Sequence, residues 1–232
     1  MNKVKVGYFS FTEITDPKEH HSYNEWHQLD HMPEQYPLPG LAFGQRWVST
    51  PACRAAREVD EDPVRSVHYI TLYLMTEPVK ETLEKFMALG QQLREKNRFH
   101  LHRRSHLSGP FKVVATEAAA RVLISAEAVP YRPNFGVYVI VEELAEGSPF
   151  DVDLSQLVVV PGVAGAWTFG SGARQISVCF LDHAPLEVAD GLRPALAKRW
   201  DHSSSKPVFA GPLETIVPWQ WDWFDQPEEG PA

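Results

Sequence analysis

The sequence is poor in the features that mark secreted, membrane and metal-binding chains. Its 232 residues include only two cysteines, Cys53 and Cys179, and their positions fit no metal or redox spacing. No apolar run approaches the roughly 18 residues that a membrane helix needs, and Met1 leads into a strand-like pattern without a basic and apolar leader. We therefore expect two structural cysteines, no membrane partner and a cytoplasmic protein.

Positive charge and nucleotide-binding motifs are also scarce. The chain has 22 basic against 30 acidic residues, a net charge of -8, and its basic clusters at 54–57 and 98–104 are too short for a nucleic-acid surface. It has no Gly-x-Ser-x-Gly elbow, no phosphate-binding loop and no dinucleotide fingerprint. These absences disfavour nucleic-acid partners, nucleophilic serine chemistry and nucleotide-dependent chemistry.

Histidine and aromatic residues, by contrast, are concentrated around the segment 24–41. Asp16 is expected to cap a helix that starts at Pro17 and runs to Met32, where Pro33 ends it. At about 100° per residue, one face of this helix combines aromatic, imidazole and carboxylate side chains: Tyr23, Trp26, His27, Asp30 and, at its edge, His31. Such a face indicates a partly apolar pocket with titratable groups.

Residue alternation and helical spacing predict the other elements of the first half. Strands are expected over 4–14, 41–50, 66–75 and 111–115, with a charged loop over 51–63. A second long helix is expected to open at Pro78, and Gly109-Pro110 to break the chain before the last strand. The predicted order is strand, helix, strand, strand, helix, strand.

The same order returns after Arg132, and similar residues return with it. Residues 135–138, 160–163, 176–181 and 211–213 resemble 6–9, 38–41, 69–74 and 109–111, respectively. We interpret this as a tandem duplication with units 1–120 and 121–232. The first helix of the second unit is about two turns shorter and lacks histidine and tryptophan, so the first unit is the candidate active half. Alternating tryptophans at the end of the second unit predict an extended arm over an apolar surface.

The first half combines the predicted order of strands and helices with Trp26, the segment His31-Met32-Pro33 and the turn Pro39-Gly40. This combination resembles the EthD-like branch of the dimeric α+β barrel superfamily. The resemblance implies an α+β fold of two tandem ferredoxin-like (βαββαβ) repeats, whose sheets form an intramolecular dimeric-α+β-barrel-type arrangement. Relatives include cofactor-independent monooxygenases, polyketide cyclases, muconolactone isomerases and haem enzymes, typically with a pocket between sheet and helices.

The two histidines of the helix face admit different roles. His31 lies near the helix end, where unpaired carbonyls and Asp30 or Glu34 would favour the imidazolium, so it suits acid/base chemistry or a purely structural helix cap. His27 and His31 are four residues apart, which also suits a divalent metal. A third ligand would have to come from His20, His21, His68 or Glu34, and the spacing does not single one out.

Large aromatic residues elsewhere are candidate pocket walls. Tyr8, Tyr23, Trp26, Trp47 and Tyr69 are expected to contact substrate, although each also fits ordinary core. His68 either joins the site or lies on the sheet surface. The basic and imidazole run over 100–106 is interpreted as a solvated linker because its spacing is irregular.

The function predicted from these residues is a cofactor-independent small-molecule enzyme. It would use histidine acid/base chemistry of the isomerase, cyclase or lyase type, or cofactor-free oxygenation, on an aromatic or polyketide-like substrate. In this hypothesis His31 transfers protons, His27 polarises a substrate oxygen and Asp30 orients an imidazole. The alternatives are a noncatalytic small-molecule-binding protein and a metal-dependent enzyme that uses His27 and His31. Whether the chain forms a homodimer is left open.

Overall fold

The computed structural model describes residues 3–201 and 205–225. Its strands are β1 (Val4–Ile14), β2 (Leu41–Val48), β3 (Val59–Asp60), β4 (Tyr69–Thr76), β5 (Arg103–Ala118), β6 (Gly136–Glu143), β7 (Val163–Ser171), β8 (Arg174–Leu181) and β9 (Lys206–Thr215). Its α-helices are α1 (His20–Trp26), α2 (Pro51–Ala55), α3 (Val79–Glu95), α4 (Ser155–Val158) and α5 (Pro185–Asp201). None of the described helices is both long and apolar enough to cross a bilayer.

The strands form one antiparallel sheet that closes on itself. Its order is β2-β4-β1-β5-β7-β8-β6-β9-β3, and β2 also pairs with β9 through Trp47 opposite Thr215 and Val48 opposite Glu214. Strands β2-β4-β1-β5 and β7-β8-β6-β9 each have the order second, third, first, fourth within their half, which is the ferredoxin-like order. The predicted α+β barrel fold is confirmed. The tandem duplication and its boundaries at 1–120 and 121–232 stay a prediction.

Large apolar side chains from both halves fill the barrel interior. Phe9 on β1 meets Phe169 on β7 with ring centroids 5.0 Å apart, and Trp47 and Phe180 lie 6.4 Å apart, all of them at most 1% exposed. The Trp47 indole N–H donates to the Asn134 side-chain oxygen at 3.1 Å. The prediction that Trp47 lines the substrate pocket is therefore wrong, because strand alternation turns it into the barrel core.

The strand pairings correct the register of the internal repeat by one residue. Tyr8 on β1 lies opposite Pro110 on β5, and Tyr138 on β6 lies opposite Pro212 on β9. Tyr8 is thus equivalent to Tyr138, whereas the sequence comparison had matched Tyr8 with Val137. Because side chains alternate between faces, a shift of one residue exchanges barrel interior for helix-facing surface.

The Pro-Gly turns before β2 and β7 match in conformation as well as in sequence. Gly40 and Gly162 both have positive φ, +76° and +89°, and each precedes the second strand of its half. Only glycine adopts this region without strain. The similarity between residues 38–41 and 160–163 therefore reflects the same backbone conformation at the turn.

Several predicted boundaries need correction. The single helix predicted over 17–32 is a 3-10 turn (Pro17–Glu19), α1 and a π-helical turn (His27–His31), although the Asp16 carboxylate does cap it by accepting from the Lys18 N–H. The predicted loop over 51–63 contains α2 and β3. The expected break at Gly109-Pro110 lies inside β5, where proline is tolerated because pairing with β7 begins only at Lys112.

The segment after β9 packs against the first half. Trp221 is only 5% exposed and joins a buried cluster with Ile14, Tyr23 and Tyr69, while the Phe224 ring stacks on His20 at 3.9 Å. The predicted apolar arm is confirmed for this stretch. Residues 226–232 lie outside the described residues.

Candidate functional site

The candidate site is a cavity of about 90 Å³ between the first-half sheet and its two helical segments. The floor is the outward face of the sheet, a row of hydroxyl-bearing side chains: Tyr8, Ser10 and Thr12 on β1, Thr71 and Tyr73 on β4, and Ser108 on β5. The walls come from the first helical segment and from α3 and the chain after it: Tyr23, His27, His31, Gln35, Phe86, Met87, Gly90, Arg94, Phe99 and Arg103. The predicted location between sheet and helices in the first half is where this cavity lies.

A π-helical turn presents both histidines to the cavity. The Met32 N–H donates to the His27 carbonyl at 2.9 Å, five residues back, so the turn is wider than an α-helical one. The rings of His27 and His31 meet edge to face at 5.1 Å, and Trp26 stacks on His31 at 4.7 Å. Trp26 therefore forms the outer support of His31 and does not itself line the cavity.

The electrostatic surroundings keep both imidazoles neutral. Burial, followed by the positive charges of Arg46 and Arg103, lowers the pKa of His27 well below its usual value. Burial, then Arg103 and Arg46, lowers the pKa of His31 to about 3. The expected imidazolium at the helix end is therefore wrong, because burial and nearby guanidiniums outweigh the helix carbonyls.

Asp30 does not contact an imidazole as its predicted role requires. Its carboxylate forms a hydrogen-bonded ion pair with Arg98, and Glu34 contacts the same guanidinium at 2.8 Å. The three side chains are 36–39% exposed, so they form a surface ion-pair cluster. Asp30 still acts on His31 from a distance, since its charge opposes the fall in the His31 pKa.

Buried polar atoms without a hydrogen-bond partner among the described residues are concentrated at this cavity. They include His27 Nδ1, His31 Nδ1, Gln35 Oε1, Thr71 Oγ1 and the Tyr73 hydroxyl, all on residues that line it. Leaving such a group buried and unpaired costs about 1–3 kcal/mol each. The cavity is thus built with several hydrogen-bonding groups that a polar ligand would satisfy.

Two other predicted contact residues belong to a neighbouring cluster. The Tyr69 hydroxyl bonds to His20 Nδ1 at 2.9 Å and accepts from the Asn24 amide at 2.8 Å, and His68 Nδ1 accepts from the Ile14 N–H at 3.1 Å. Neither Tyr69 nor His68 lines the cavity. Tyr8 and Tyr23 do line it, so the cavity brings together only part of the predicted wall.

Sequence reasoning missed several residues that the fold brings to the cavity. Phe99 precedes the run 100–106 that was interpreted as a solvated linker, and Arg103 lies within it. That interpretation is wrong, because β5 begins at Arg103 and the His100 and His106 side chains are only 10–11% exposed. Gln35 is 1% exposed although it follows Pro33 in an irregular segment. In the sequence, the strand-like alternation of hydrophilic residues after the long helix could have indicated that Arg103 belongs to a strand.

A larger open groove of about 490 Å³ lies in the second half, lined by Leu144, 149–153, Gln156, Leu157, Gln175 and α5 residues including Arg199. Haem, which some relatives in the resembled superfamily carry, requires an axial His, Cys, Met or Tyr beside a pocket for its ring. The second-half groove has none of these residues. The histidine cavity is far smaller than the roughly 300–1,000 Å³ typical of ligand pockets. A surface groove beside His183 offers a ring that is 60% exposed and paired with Asp182. Among the described residues, none of these three sites combines a suitable axial ligand with space for haem.

Within the described residues, no group of three or more His, Cys, Asp or Glu side chains is arranged to hold a metal ion. His27 and His31 have no third ligand of these types beside them in the cavity lining. The alternative of a metal-dependent enzyme therefore has no structural support beyond the original pair.

Substitution of Gly90 tests whether the space beside this position of α3 is open. It lies inside α3 and lines the cavity, and a Cβ built there meets no atom within 4 Å. Gly90→Ala is expected to raise the free energy of unfolding by about 0.5–1 kcal/mol, because alanine is the better helix former. Urea titration measures it. Gly109→Ala is the control, since its Cβ also meets open space but its φ of +155° strains alanine, so it should destabilise.

Comparison with known proteins finds solved structures of similar fold. No family model matches the sequence, and no curated protein matches it. A crystal structure described as a "Putative Chlorite dismutase" matches with a TM-score of 0.53 and 10% identity, over 96% of this chain and 98% of that one. At this identity the likeness shows the fold alone, which is that of the dimeric α+β barrel superfamily. The resemblance to its EthD-like branch stays a prediction.

Proposed function

We propose that the first-half cavity is the active site of an enzyme that moves a proton on a small polar organic molecule without an organic cofactor. The observation that carries the proposal is the set of five buried, unpartnered polar atoms on residues lining one cavity. An ordinary core pairs such atoms, so their concentration favours a ligand that completes their hydrogen bonds.

The equivalent surface of the second half supports a specialised first half. There the helix-facing side of the sheet combines an apolar cluster, which includes Tyr138, Cys179 and Leu192, with buried polar side chains that bond to one another, Thr168 to Ser177 at 2.9 Å and Gln175 to Glu142 at 2.7 Å. In the first half, hydroxyl and imidazole groups occupy the space between sheet and helices. The two halves share a strand order but not this chemistry.

The chemistry assigned to the histidines follows from their neutrality. A neutral imidazole has a free lone pair, so it can accept a proton once the negative charge that develops on the substrate oxygen offsets the burial and guanidiniums that lower its pKa, and it can also donate a hydrogen bond to a carbonyl oxygen. In this mechanism His31 takes a proton from the carbon next to a carbonyl, and the electron pair of that C–H bond moves to give an enolate oxygen. His27 and the Tyr73 hydroxyl donate hydrogen bonds to this oxygen, and His31 returns the proton at another position.

The cavity volume narrows the predicted substrate class. About 90 Å³ lies well below the roughly 300–1,000 Å³ typical of pockets for drug-sized ligands. A molecule of a few heavy atoms fits this space, whereas a polyketide-like ring system would require Met87 and Phe99 to move apart. We therefore propose a small carbonyl compound as substrate.

Hydroxyacetone tests both binding and proton transfer. We expect it to raise the melting temperature and to exchange its C–H protons for deuterium faster with the protein than without it, as NMR measures. His31→Phe should remove the exchange, and Gly90→Phe should remove binding by filling the cavity. Trp47→Phe is the matched aromatic control, since Trp47 lies in the barrel interior, and its cavity should keep both properties.

Each outcome decides between the candidate functions. Binding that Gly90→Phe abolishes, without any exchange, would favour the noncatalytic small-molecule-binding protein. Absence of binding, or binding that survives Gly90→Phe, would refute the cavity as the site.

A further inference from the structure

Three guanidinium groups act on the histidine pair, and no carboxylate lines the cavity. Arg94 and Arg103 are part of its wall, and Arg46, only 3% exposed, lowers the pKa of both His27 and His31 through its charge. Among the described residues, none of the three arginines forms an ion pair with a carboxylate, and Arg46 has two buried nitrogens, Nε and Nη1, without a partner. The site therefore carries uncompensated positive charge.

Other arginines of the chain do form ion pairs with carboxylates. Arg98 pairs with Asp30 and Glu34, Arg121 and Arg132 pair with Asp182, and Arg199 pairs with Glu142. The chain as a whole has a net charge of -8. Carboxylates are thus abundant, and their absence from the cavity wall is a property of this location.

Two of these charges act on each other and contact the same aromatic ring. Arg94 lies 4.8 Å and Arg103 4.9 Å from the centroid of the Phe99 ring, and Arg103 also lies 5.8 Å from that of Trp26. Cation–π contact offsets part of the cost of desolvating a guanidinium but leaves its charge in place. An anion between the two groups would relieve their mutual repulsion.

We propose that the cavity binds its ligand as a small carboxylate anion, with Arg103 as the inner charge partner and Arg94 at the exposed mouth. This inference rests on the function proposed for the same cavity and adds the chemical class of its substrate. A guanidinium presents a planar fork of N–H donors that matches a carboxylate. Thr71, Tyr73 and the two imidazoles would bind the rest of the molecule.

The anion also completes the proposed chemistry. A negative charge beside an imidazole favours its protonated form, so a bound carboxylate strengthens His31 as a base at the moment when a proton has to move. The same guanidiniums stabilise the second negative charge that forms on the enolate oxygen. Arg103 is in this view a binding group that touches the substrate carboxylate.

Acetate and its neutral isostere acetamide form the test. Binding is measured by NMR chemical-shift titration at constant ionic strength, with sodium chloride as the background salt, because screening weakens exposed charge pairs. We expect acetate to bind at least about tenfold more tightly than acetamide, in line with a charged hydrogen bond. Arg103→Met should weaken acetate by about tenfold or more and leave acetamide nearly unchanged.

Matched variants keep the result interpretable. Arg104→Met removes the same charge one position along β5, where the side chain is 67% exposed and near Glu13, and should leave acetate binding unchanged. If Arg103→Met does not fold, Arg94→Met at the mouth should still weaken acetate severalfold. Equal loss in the Arg103 and Arg104 variants would overturn the proposal, since it would reflect only overall charge.

The binding results also distinguish a failure of this inference from a failure of the proposed function. Acetamide binding that Gly90→Phe abolishes, combined with equal or weaker acetate binding, would refute the anion preference and keep the cavity as the site. Tighter binding of inorganic phosphate than of acetate would refute the carboxylate class. Failure of both acetate and acetamide to bind would remove the cavity itself as a ligand site.

Discussion

Lowering the pH from 7 to 5 is expected to destabilise the folded chain by several kcal/mol. Burial lowers the pKa of His20 to about 4 and of His31 and His68 to about 3, and it also lowers that of His27 well below its usual value. In the unfolded chain these imidazoles titrate near pH 6.5. Below that pH the unfolded state binds protons that the folded state cannot, so stability falls as pH falls through the window from about 6.5 to about 3 or 4.

The size of the effect follows from the number of enclosed rings. Each one contributes about 1.4 kcal/mol per pH unit within its window, or about 2 kcal/mol between pH 6.5 and 5. His27, His31 and His68 together approach 6 kcal/mol, a large part of the about 5–15 kcal/mol that stabilises ordinary domains. Buried carboxylates add little, because unfolded Asp and Glu titrate near pH 4. Urea titrations at pH 7, 6 and 5 measure the free energy of unfolding.

A single substitution isolates one histidine's share. His68→Gln keeps an acceptor for the Ile14 N–H and removes the titrating ring, so the slope of stability against pH should decrease by about 1.4 kcal/mol per pH unit. His183→Gln is the control, because that side chain is 60% exposed. A stability that does not change between pH 7 and 5 would show that these rings are not enclosed in solution.

Local patterns in the sequence predicted much of this architecture. Strand alternation predicts Val67, Tyr69, Thr71 and Tyr73 on one face. In the structure Tyr69, Thr71 and Tyr73 lie outside the barrel interior, whereas Val67 precedes β4 and belongs to the interior core. The Asp16 cap depends only on neighbouring residues and was predicted correctly. The spacing of His27 and His31 predicts that they share a helix face, and in the structure both rings line one cavity.

Features that depend on long-range packing were not predictable in this way. Residue alternation indicates that Trp47 lies on one face of its strand. Only the closure of β2 against β9 shows that this face is the barrel interior. Arg103 enters the site because β5 begins there and pairs with Ile14 of β1, a contact between residues far apart in sequence. The π-helical turn at 27–31 leaves no signature in residue spacing, since it differs from an α-helix by one residue in hydrogen bonding.

Replacing Arg199 with methionine is expected to lower the free energy of unfolding by about 3–5 kcal/mol at pH 7. Arg199 is 7% exposed and Glu142 is fully buried, and the two are joined by bonds of 2.8 and 3.1 Å. Removing one partner of such a pair leaves an uncompensated buried charge. Gln175, Trp200 and Ser205 also donate to the Glu142 carboxylate, but these neutral groups do not supply the lost charge.

The pH dependence of this loss identifies its cause. Burial alone would raise the pKa of Glu142, but hydrogen bonds and charge from Arg199 hold it below its usual value. In Arg199→Met, burial dominates and the folded pKa rises above the unfolded value near 4.3. The penalty is then present at neutral pH and is lost as pH falls through the raised folded pKa towards 4.3. Relative to wild type, the variant should therefore lose less stability at pH 5 than at pH 7, as urea titration measures.

Two variants show whether buried charge, rather than lost packing, causes this effect. Arg174→Met breaks the ion pair with Glu143 on the adjoining strands, where the side chains are 39% and 48% exposed, and should cost less than about 1 kcal/mol. Arg199→Met combined with Glu142→Gln removes both charges and should recover much of the loss. If the double variant is as unstable as the single one, the stabilising element is the aliphatic part of Arg199 or its second ion pair, with Asp151 at 2.8 Å, and the pair with Glu142 is not.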